Sequence, residues 1–226
     1  MPFADPSPTP ADLNFRLLGF PVRVHPFFWI VCLLLGPGEP ERAVLWFAAV
    51  FVSILVHELG HAVLQRHWGG RPSIILYGFG GLASAPGVRD TPWRQIAISL
   101  AGPGAGFVLA ALVYLVAPQV VSISPMLATL ASFLLAINIF WGIFNLLPIY
   151  PLDGGRVSRE VFTMVLRPDR GIVVSLWVSM IACAIAAVLM WQWTGSLWNV
   201  VLLAAIGINN YQTLEQYRSM RGGGWR

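Results

Sequence analysis

The sequence contains no lysine and little charge of either sign. Only 11% of its 226 residues are charged, whereas soluble domains carry about 25%, so the composition is that of a membrane protein. All 14 basic residues are arginines, and they are scattered between apolar runs instead of being clustered on one segment. Nucleic acid is therefore not an expected partner. No Ser- or Gly-rich linker divides the chain, and its length favours a single unit.

Cysteine is nearly absent as well. Cys32 and Cys183 lie in separate apolar segments, without the spacing of a metal-binding or redox pair, and we interpret them as small buried hydrophobic residues. The N-terminal segment 1–25 carries prolines and charges and lacks the basic start and apolar core of a cleaved signal peptide. We therefore expect the first apolar segment to act as the insertion signal.

The hydrophobic residues, 57% of the chain, are concentrated in runs that predict membrane spans. A helix rises 1.5 Å per residue, so about 20 apolar residues cross a hydrocarbon core roughly 30 Å thick. Four runs have that length and two shorter ones are marginal. The sequence predicts an all-α integral membrane protein with about six transmembrane helices, at residues 43–65, 95–117, 127–147 and 172–193, with the marginal pair at 26–36 and 197–210.

The distribution of arginine orients this arrangement. Short cytoplasmic loops hold an excess of basic residues, and six spans place every arginine except Arg42 on one side. We therefore expect a cytoplasmic N-terminal arm at 1–25, a polytopic membrane domain at 26–210 and a cytoplasmic tail at 211–226. Arginine without lysine, together with abundant Ala, Gly and Trp, indicates a prokaryotic plasma membrane.

Two histidines and a glutamate interrupt the second apolar run, where His57, Glu58 and His61 form an HELGH motif. Residues four apart share one face of a helix, so His57 and His61 can bind one metal ion while Glu58 lies beside them as a base. Unpaired charged groups at the centre of a membrane helix cost on the order of 2.5 to 3.5 kcal/mol each. The motif therefore indicates a metal site more than a set of helix–helix hydrogen bonds.

A third ligand is expected, because catalytic zinc normally binds three protein side chains and leaves one position open. The segment NLLPIYPLDGGR at 145–156 offers Asp153. Its two prolines disrupt helical hydrogen bonding, and we interpret Gly154 and Gly155 as positions that permit backbone conformations closed to other residues. This irregular backbone would turn Asp153 inward.

The pairing of HELGH with NLLPIYPLDGGR resembles the site-2 protease family of intramembrane zinc metalloproteases. Similarity continues in the entry segment 19–26, the glycine-rich segment 78–83 and the Ala-Gly-Pro-Gly segment 101–104, so it extends to about Arg159. One departure is the absence of an Asn shortly after this Gly-Pro, where Gly106 and Phe107 stand. We find no inserted PDZ-like module and expect no C-terminal nucleotide-sensing module.

The resemblance implies hydrolysis of peptide bonds within or near the transmembrane segments of membrane proteins. It also implies one zinc ion per chain and a set of site residues, in which the ligands are His57, His61 and Asp153, the catalytic base is Glu58, and the polar helper near the substrate or its oxyanion is Asn145. The partners are then a transmembrane protein substrate and the lipid bilayer. The sequence leaves the oligomeric state open.

The glycine-rich segment at 77–85 has two interpretations. Its small and apolar residues would suit a membrane-associated β-hairpin, whose edge pairs with an unwound substrate as an added strand. A re-entrant connection that covers the site fits the same composition. The composition alone does not separate the two.

Two other functions are compatible with polar residues in a membrane span. A metal-transporting protein or channel also places His and Asp along an ion pathway, but coordination alone does not require Glu58. A catalytically silent relative that binds membrane proteins is the other alternative, and the intact Glu58 and ligand set argue against it.

Overall fold

The computed structural model describes residues 6–78, 80–84 and 91–222. Positions 79 and 85 of the predicted hairpin lie outside these residues. The described part contains four short strands, β1 (Leu13–Leu17), β2 (Phe20–Val24), β3 (Ser73–Tyr77) and β4 (Gly80–Ser84). Its helices are α1 (Pro26–Leu35), α2 (Pro40–His67), α3 (Pro92–Val121), α4 (Pro125–Asn145), α5 (Asp153–Val165), α6 (Pro168–Thr194) and α7 (Leu197–Gly222).

Four of the described helices, α2, α3, α4 and α6, are long and apolar enough to cross a membrane. They coincide with the four longer predicted runs, and the protein is an integral membrane protein. The two marginal runs also form helices, but α1 has only 10 residues, and α7 continues well beyond position 210, to Gly222. Prolines begin α1, α2, α3, α4 and α6, as expected where the missing amide of the first turn costs nothing.

The chain folds into two compact units. The first comprises residues 1–90 and 100–144, and the second comprises residues 91–99 and 145–226. The four strands, α1 and α2 belong wholly to the first unit. The three helices α5, α6 and α7 belong wholly to the second.

The first unit contains a four-stranded sheet in the order β1-β2-β3-β4, where the sequence leaves a hairpin and a re-entrant connection open for segment 77–85. A hairpin is present, with Tyr77 opposite Gly80, but its first strand, β3, begins before the predicted segment. The N-terminal arm adds a second antiparallel hairpin, β1–β2, and β2 pairs with β3 in parallel. Leu18 and Gly19 form the β1–β2 turn with φ of 49° and 82°, the left-handed pair that a two-residue hairpin loop requires.

Alternation along β2 explains how the sheet packs. Phe20, Val22 and Val24 are almost fully buried and join a core that includes residues of α1 and α2. From α2, the Arg66 guanidinium stacks 4.0 Å over the Phe20 ring and donates to the carbonyl of Leu18 at 3.0 Å. One arginine therefore fixes both the strand and its left-handed turn.

A polar cluster secures the start of the arm. The Thr9 hydroxyl donates to Asp12 Oδ1 at 2.6 Å, and Arg23 on β2 approaches Asp12 Oδ2 at 3.1 Å. These interactions, with the Thr9 hydrogen bond as the largest, lower the pKa of the Asp12 carboxyl. The segment predicted as a plain arm is thus folded against the sheet.

The second unit contains α5, a helix whose first turn lies in the segment 145–156, for which the sequence predicts irregular backbone. The sequence does not predict this helix because prolines disrupt helical hydrogen bonding, and α5 begins directly after Pro151 and Leu152. Gly154 and Gly155 lie in its first turn, and neither has a positive φ. The interpretation of these glycines as positions with backbone conformations closed to other residues is therefore wrong. Instead, a Cβ on Gly154 would collide with the Leu146 carbonyl, so close packing requires glycine.

Candidate metal centre

The centre of the candidate site is the HELGH motif in the second half of α2. His57, Glu58 and His61 are 4%, 4% and 7% exposed. One helical turn brings the two imidazoles together, with Nε2 of His57 3.2 Å from Nε2 of His61 and ring planes inclined by 79°. The prediction that the histidines share one face of a helix is confirmed.

The geometry of the two imidazoles is compatible with both binding the same metal ion. Zinc binds histidine nitrogen at 2.0 to 2.1 Å with tetrahedral angles, so two nitrogens on one ion lie about 3.3 Å apart. The observed Nε2 separation of 3.2 Å matches that value. His57 and His61 are therefore spaced as two ligands of one zinc ion.

Glycines allow neighbouring elements to approach this pair. In α3, a Cβ on Gly102 would collide with Nε2 of His61, and a Cβ on Gly60 of α2 would collide with the carbonyl oxygen of Ala101. Both positions lie within the first unit. The Ala-Gly-Pro-Gly segment thus lets the backbone of α3 pack directly against the imidazole nitrogens, a role that its sequence similarity did not reveal.

Glu58 lies against strand β4. A Cβ on Gly81 would collide with the Glu58 carboxyl group, so glycine at this position lets the strand backbone reach the side chain. The carboxylate is consequently held between its own helix and the hairpin.

The second unit carries the other two predicted residues. Asp153 occupies the first turn of α5 and is 6% exposed, and Asn145 ends α4 and is 7% exposed. The helix macrodipole favours an acidic side chain at that first turn. Both side chains are therefore buried polar groups at helix ends.

Two side chains of the second unit hold the bend that precedes Asp153. The Ser179 hydroxyl on α6 accepts from the amide of Tyr150 at 3.0 Å and donates to the carbonyl of Pro148 at 3.2 Å. From α7, Asn210 donates to the carbonyl of Tyr150 at 2.6 Å. Backbone groups of this irregular segment are thus satisfied by side chains, as buried irregular backbone requires.

Sequence reasoning missed two buried polar residues near the motif. Asn138 on α4 is 2% exposed and donates to the Ser53 hydroxyl on α2 at 2.8 Å, a contact that ties the two helices together. Gln65 is 8% exposed and lies one turn beyond His61. Its four-residue spacing from His61 is the sequence signal that could have identified it.

The comparison with known families covers this region. The model of Peptidase family M50 matches residues 45–124 and 118–191, which is more than half of the chain and includes the HELGH motif and Asp153. The chain belongs to Peptidase family M50. This membership confirms the predicted resemblance to the site-2 protease family.

Individual relatives agree with the family match. The M50 chain is 30% identical over 158 residues to a zinc metalloprotease of Methanocaldococcus jannaschii, covering 66% of this chain and 44% of the relative. It is 32% identical over 176 residues to a putative zinc metalloprotease of Synechocystis sp., covering 70% of this chain and 46% of the relative. The chain thus spans about half the length of the curated relatives it matches.

A solved structure shares the fold. The site-2 protease from Methanocaldococcus jannaschii superposes with a TM-score of 0.62 at 22% identity, covering 90% of this chain and 95% of that structure. At this identity the likeness concerns the fold alone. It extends beyond the helices of the family match to most of the chain.

Proposed function

We propose that this M50 protein is an intramembrane zinc metalloprotease that hydrolyses peptide bonds within or near the transmembrane segments of membrane proteins. The observation that carries the proposal is the His57–His61 pair at zinc spacing, with Glu58 buried beside it on an apolar helix. The names of the relatives support zinc as the metal.

The proposed ligand set is His57, His61 and Asp153, holding one zinc ion per chain. Zinc prefers nitrogen and carboxylate oxygen donors, and three protein ligands leave one position for water or substrate. All three side chains are buried.

The residues divide the chemistry between them. When bound, zinc would act as a Lewis acid toward the scissile carbonyl and would make water a better nucleophile near neutral pH. Glu58 would accept a proton from the attacking water at a carboxylate oxygen and later deliver it to the leaving amine. The Asn145 amide would donate to the developing oxyanion, and the close packing at Gly102 would restrict bulk water.

The proposed topology has six spans and both termini in the cytoplasm of a prokaryotic cell. The four long apolar helices support four spans, and α1 and α7 would supply the other two. The ten residues of α1 reach about 15 Å, so this span would require flanking residues or a locally thinned bilayer. The one-sided distribution of arginine supports the orientation.

Substrate binding would use the open edge of the sheet. A helical substrate segment hides its peptide bonds, so it must unwind before cleavage. Strand β4 is the last strand of the described sheet, and Gly81 brings its backbone to Glu58. An unwound segment that pairs with β4 as an added strand would present a peptide bond beside the catalytic base.

Two substitutions test the proposed activity. Purified protein would be assayed for bound zinc and for cleavage of a model single-span substrate. We expect Glu58→Gln to retain zinc and to lose cleavage by about 10²- to 10⁴-fold, and His61→Ala to lose both. Zinc-dependent transport that persists in Glu58→Gln without cleavage in the wild type would instead support a transporter.

The strand-addition step has its own test. The amide of His25 donates to the Leu76 carbonyl, so the backbone groups of Leu76 face β2 and not β4. In the hairpin, Leu76 lies opposite Gly81, and Ile75 lies opposite Leu82. Backbone direction alternates along a strand, so Ala83 points its N–H away from β3 and Leu82 points its N–H toward β3. Ala83→Pro should therefore reduce cleavage while zinc binding persists.

Leu82→Pro is the matched control, because it removes a hydrogen bond within the hairpin and should weaken the sheet itself. Full cleavage by a folded Ala83→Pro variant would contradict strand addition. It would leave the zinc site and the role of Glu58 untouched.

A further inference from the structure

The face of α2 that carries the histidines also carries a buried glutamine. His57, His61 and Gln65 are spaced by four residues, so they follow one another along one face of the helix. Gln65 is 8% exposed, and its Oε1 has no hydrogen-bond partner among the described residues. A buried acceptor without a donor is costly, so Oε1 is expected to accept a hydrogen bond when substrate is bound.

The other half of the same amide is engaged. Gln65 Nε2 donates to the carbonyl oxygen of Ala83 at 3.1 Å. That oxygen belongs to the edge of β4 that points away from β3, as the alternation along the hairpin requires. Gln65 thus lies at the open edge of the sheet, where an added strand would lie.

The edge of β4 follows the polar face of α2. At one position Gly81 contacts the Glu58 carboxyl group, and two residues later Ala83 contacts the Gln65 amide. The strand therefore connects the catalytic base to the glutamine within the first unit. A peptide that pairs with this edge would pass both side chains.

We propose that Gln65 is a substrate-binding residue whose Oε1 accepts a backbone N–H from the extended substrate that lies along β4. The proposal rests on the proposed protease function. A carboxamide has the donor and acceptor of a peptide group, so Gln65 takes the place of one peptide unit in the ladder. Direct pairing between the substrate and β4 ends at Ala83, because Gln65 already donates to its carbonyl oxygen.

This role makes recognition independent of the substrate side chain at that position. A main-chain N–H is present at every residue except proline, so many sequences can satisfy Gln65. Proline at the matching substrate position is the expected exception. The glutamine would thereby fix the register of the substrate relative to Glu58.

The test combines a protein variant with a modified substrate. Gln65→Met keeps the length of the side chain but removes both hydrogen-bonding groups, and Gln212→Met, at an exposed position of α7, is the matched control. The substrates are synthetic single-span peptides in which successive amides near the cleaved bond are N-methylated one at a time. KM, kcat and zinc content are measured for each pair.

We expect Gln65→Met to raise KM about 3- to 10-fold, the value of one hydrogen bond, with kcat and zinc content close to wild type. One N-methylated substrate should show the same rise with wild type and no further rise with Gln65→Met. Such non-additivity identifies the two groups as partners. A purely structural role of Gln65 would not remove the penalty of one particular substrate amide.

Additive effects at every N-methylated position would overturn the proposal, as would an unchanged KM in Gln65→Met. Both results would leave the protease function intact, provided that wild type cleaves the unmodified peptide and Glu58→Gln does not. Failure of wild type to cleave any of these peptides while zinc is bound would overturn the proposed function and this inference together.

Discussion

Buried polar side chains on the apolar helices serve different ends in the two units. In the second unit, Ser179 and Asn210 form hydrogen bonds with the backbone around Tyr150 and so stabilise an irregular segment. In the first unit, His57 and His61 face each other at zinc spacing. A polar residue within a membrane span is therefore not by itself a sign of chemistry.

The partner of the side chain separates the two cases. In the second unit, a hydroxyl and an amide satisfy main-chain groups of a buried segment that is not helical. The α2 face instead meets glycines, because the backbones at Gly102 and Gly81 pack directly against the His61 imidazole and the Glu58 carboxyl group, where a Cβ would collide. These side chains are held by close packing, whereas those of the second unit form hydrogen bonds to an irregular backbone.

The largest effect in this comparison is expected at Gly102. Gly102→Ala would place a Cβ against Nε2 of His61, which should displace the imidazole and weaken zinc binding by about 10- to 100-fold, as other disturbances of ligand orientation do. Gly104→Ala is the matched control, since nothing lies within 4 Å of its added Cβ. The measurement is competition for zinc with a chelator of known affinity.

Equal zinc affinity in Gly102→Ala and Gly104→Ala would show that the α3 glycine does not shape the metal centre. A fall in both would indicate a general effect on α3. Only a selective loss in Gly102→Ala supports the contrast between close glycine packing on the α2 face and backbone bonding in the second unit.

A moderate effect is expected at Ser179. Ser179→Ala leaves the amide of Tyr150 without this acceptor, and the free energy of unfolding should fall by about 1 to 3 kcal/mol. Ser175→Ala makes the same change on the same helix, but among the described residues the Ser175 hydroxyl donates to the Ile172 carbonyl of its own helix. It should therefore change the free energy of unfolding by less than about 0.5 kcal/mol.

Reversible unfolding in mixed micelles would measure both variants, with zinc content as the second readout. We expect zinc affinity to fall less in Ser179→Ala than in Gly102→Ala, because the serine acts only through the backbone that precedes Asp153. A larger zinc defect in Ser179→Ala would contradict the division of roles drawn here.

The smallest effect concerns the N-terminal arm. Hydrogen bonding from Thr9 lowers the pKa of Asp12, so the ionised carboxylate stabilises the folded arm above the unfolded pKa of about 3.9. That contribution is lost as the pH falls through the lower pKa of the folded state. Thr9→Ala should raise the midpoint of the Asp12 carboxyl titration, followed by carbon NMR, while cleavage and zinc binding stay unchanged.

The HELGH geometry could be predicted because it is local. Residues spaced by four lie on one face of a helix, so the spacing of His57 and His61 sets the direction of both side chains. The apolar sequence around them predicts the helix itself. The same spacing extends to Gln65, but a glutamine near a span end has no metal chemistry to mark it. The contact with Ala83 becomes visible only when β4 is placed.

The sheet and α5 were harder to predict because their signals conflict or are distant. Strand β2 pairs with β3 across about 50 residues of sequence, and nothing local in either strand specifies that partner. At the start of α5, the prolines before it and the glycines in its first turn argue against a helix, yet the glycines are needed because backbone packs against them. Composition alone cannot distinguish a glycine required for φ from one required for space.

The most direct test of the account is to map the cleavage site in a bilayer. Wild type and Glu58→Gln would be reconstituted with zinc in liposomes that contain a single-span substrate, and the products would be identified by mass spectrometry. The account predicts a cut within or beside the hydrophobic segment with wild type and none with Glu58→Gln, both proteins holding zinc. The same cut with both proteins, or cuts confined to the soluble parts of the substrate, would contradict it.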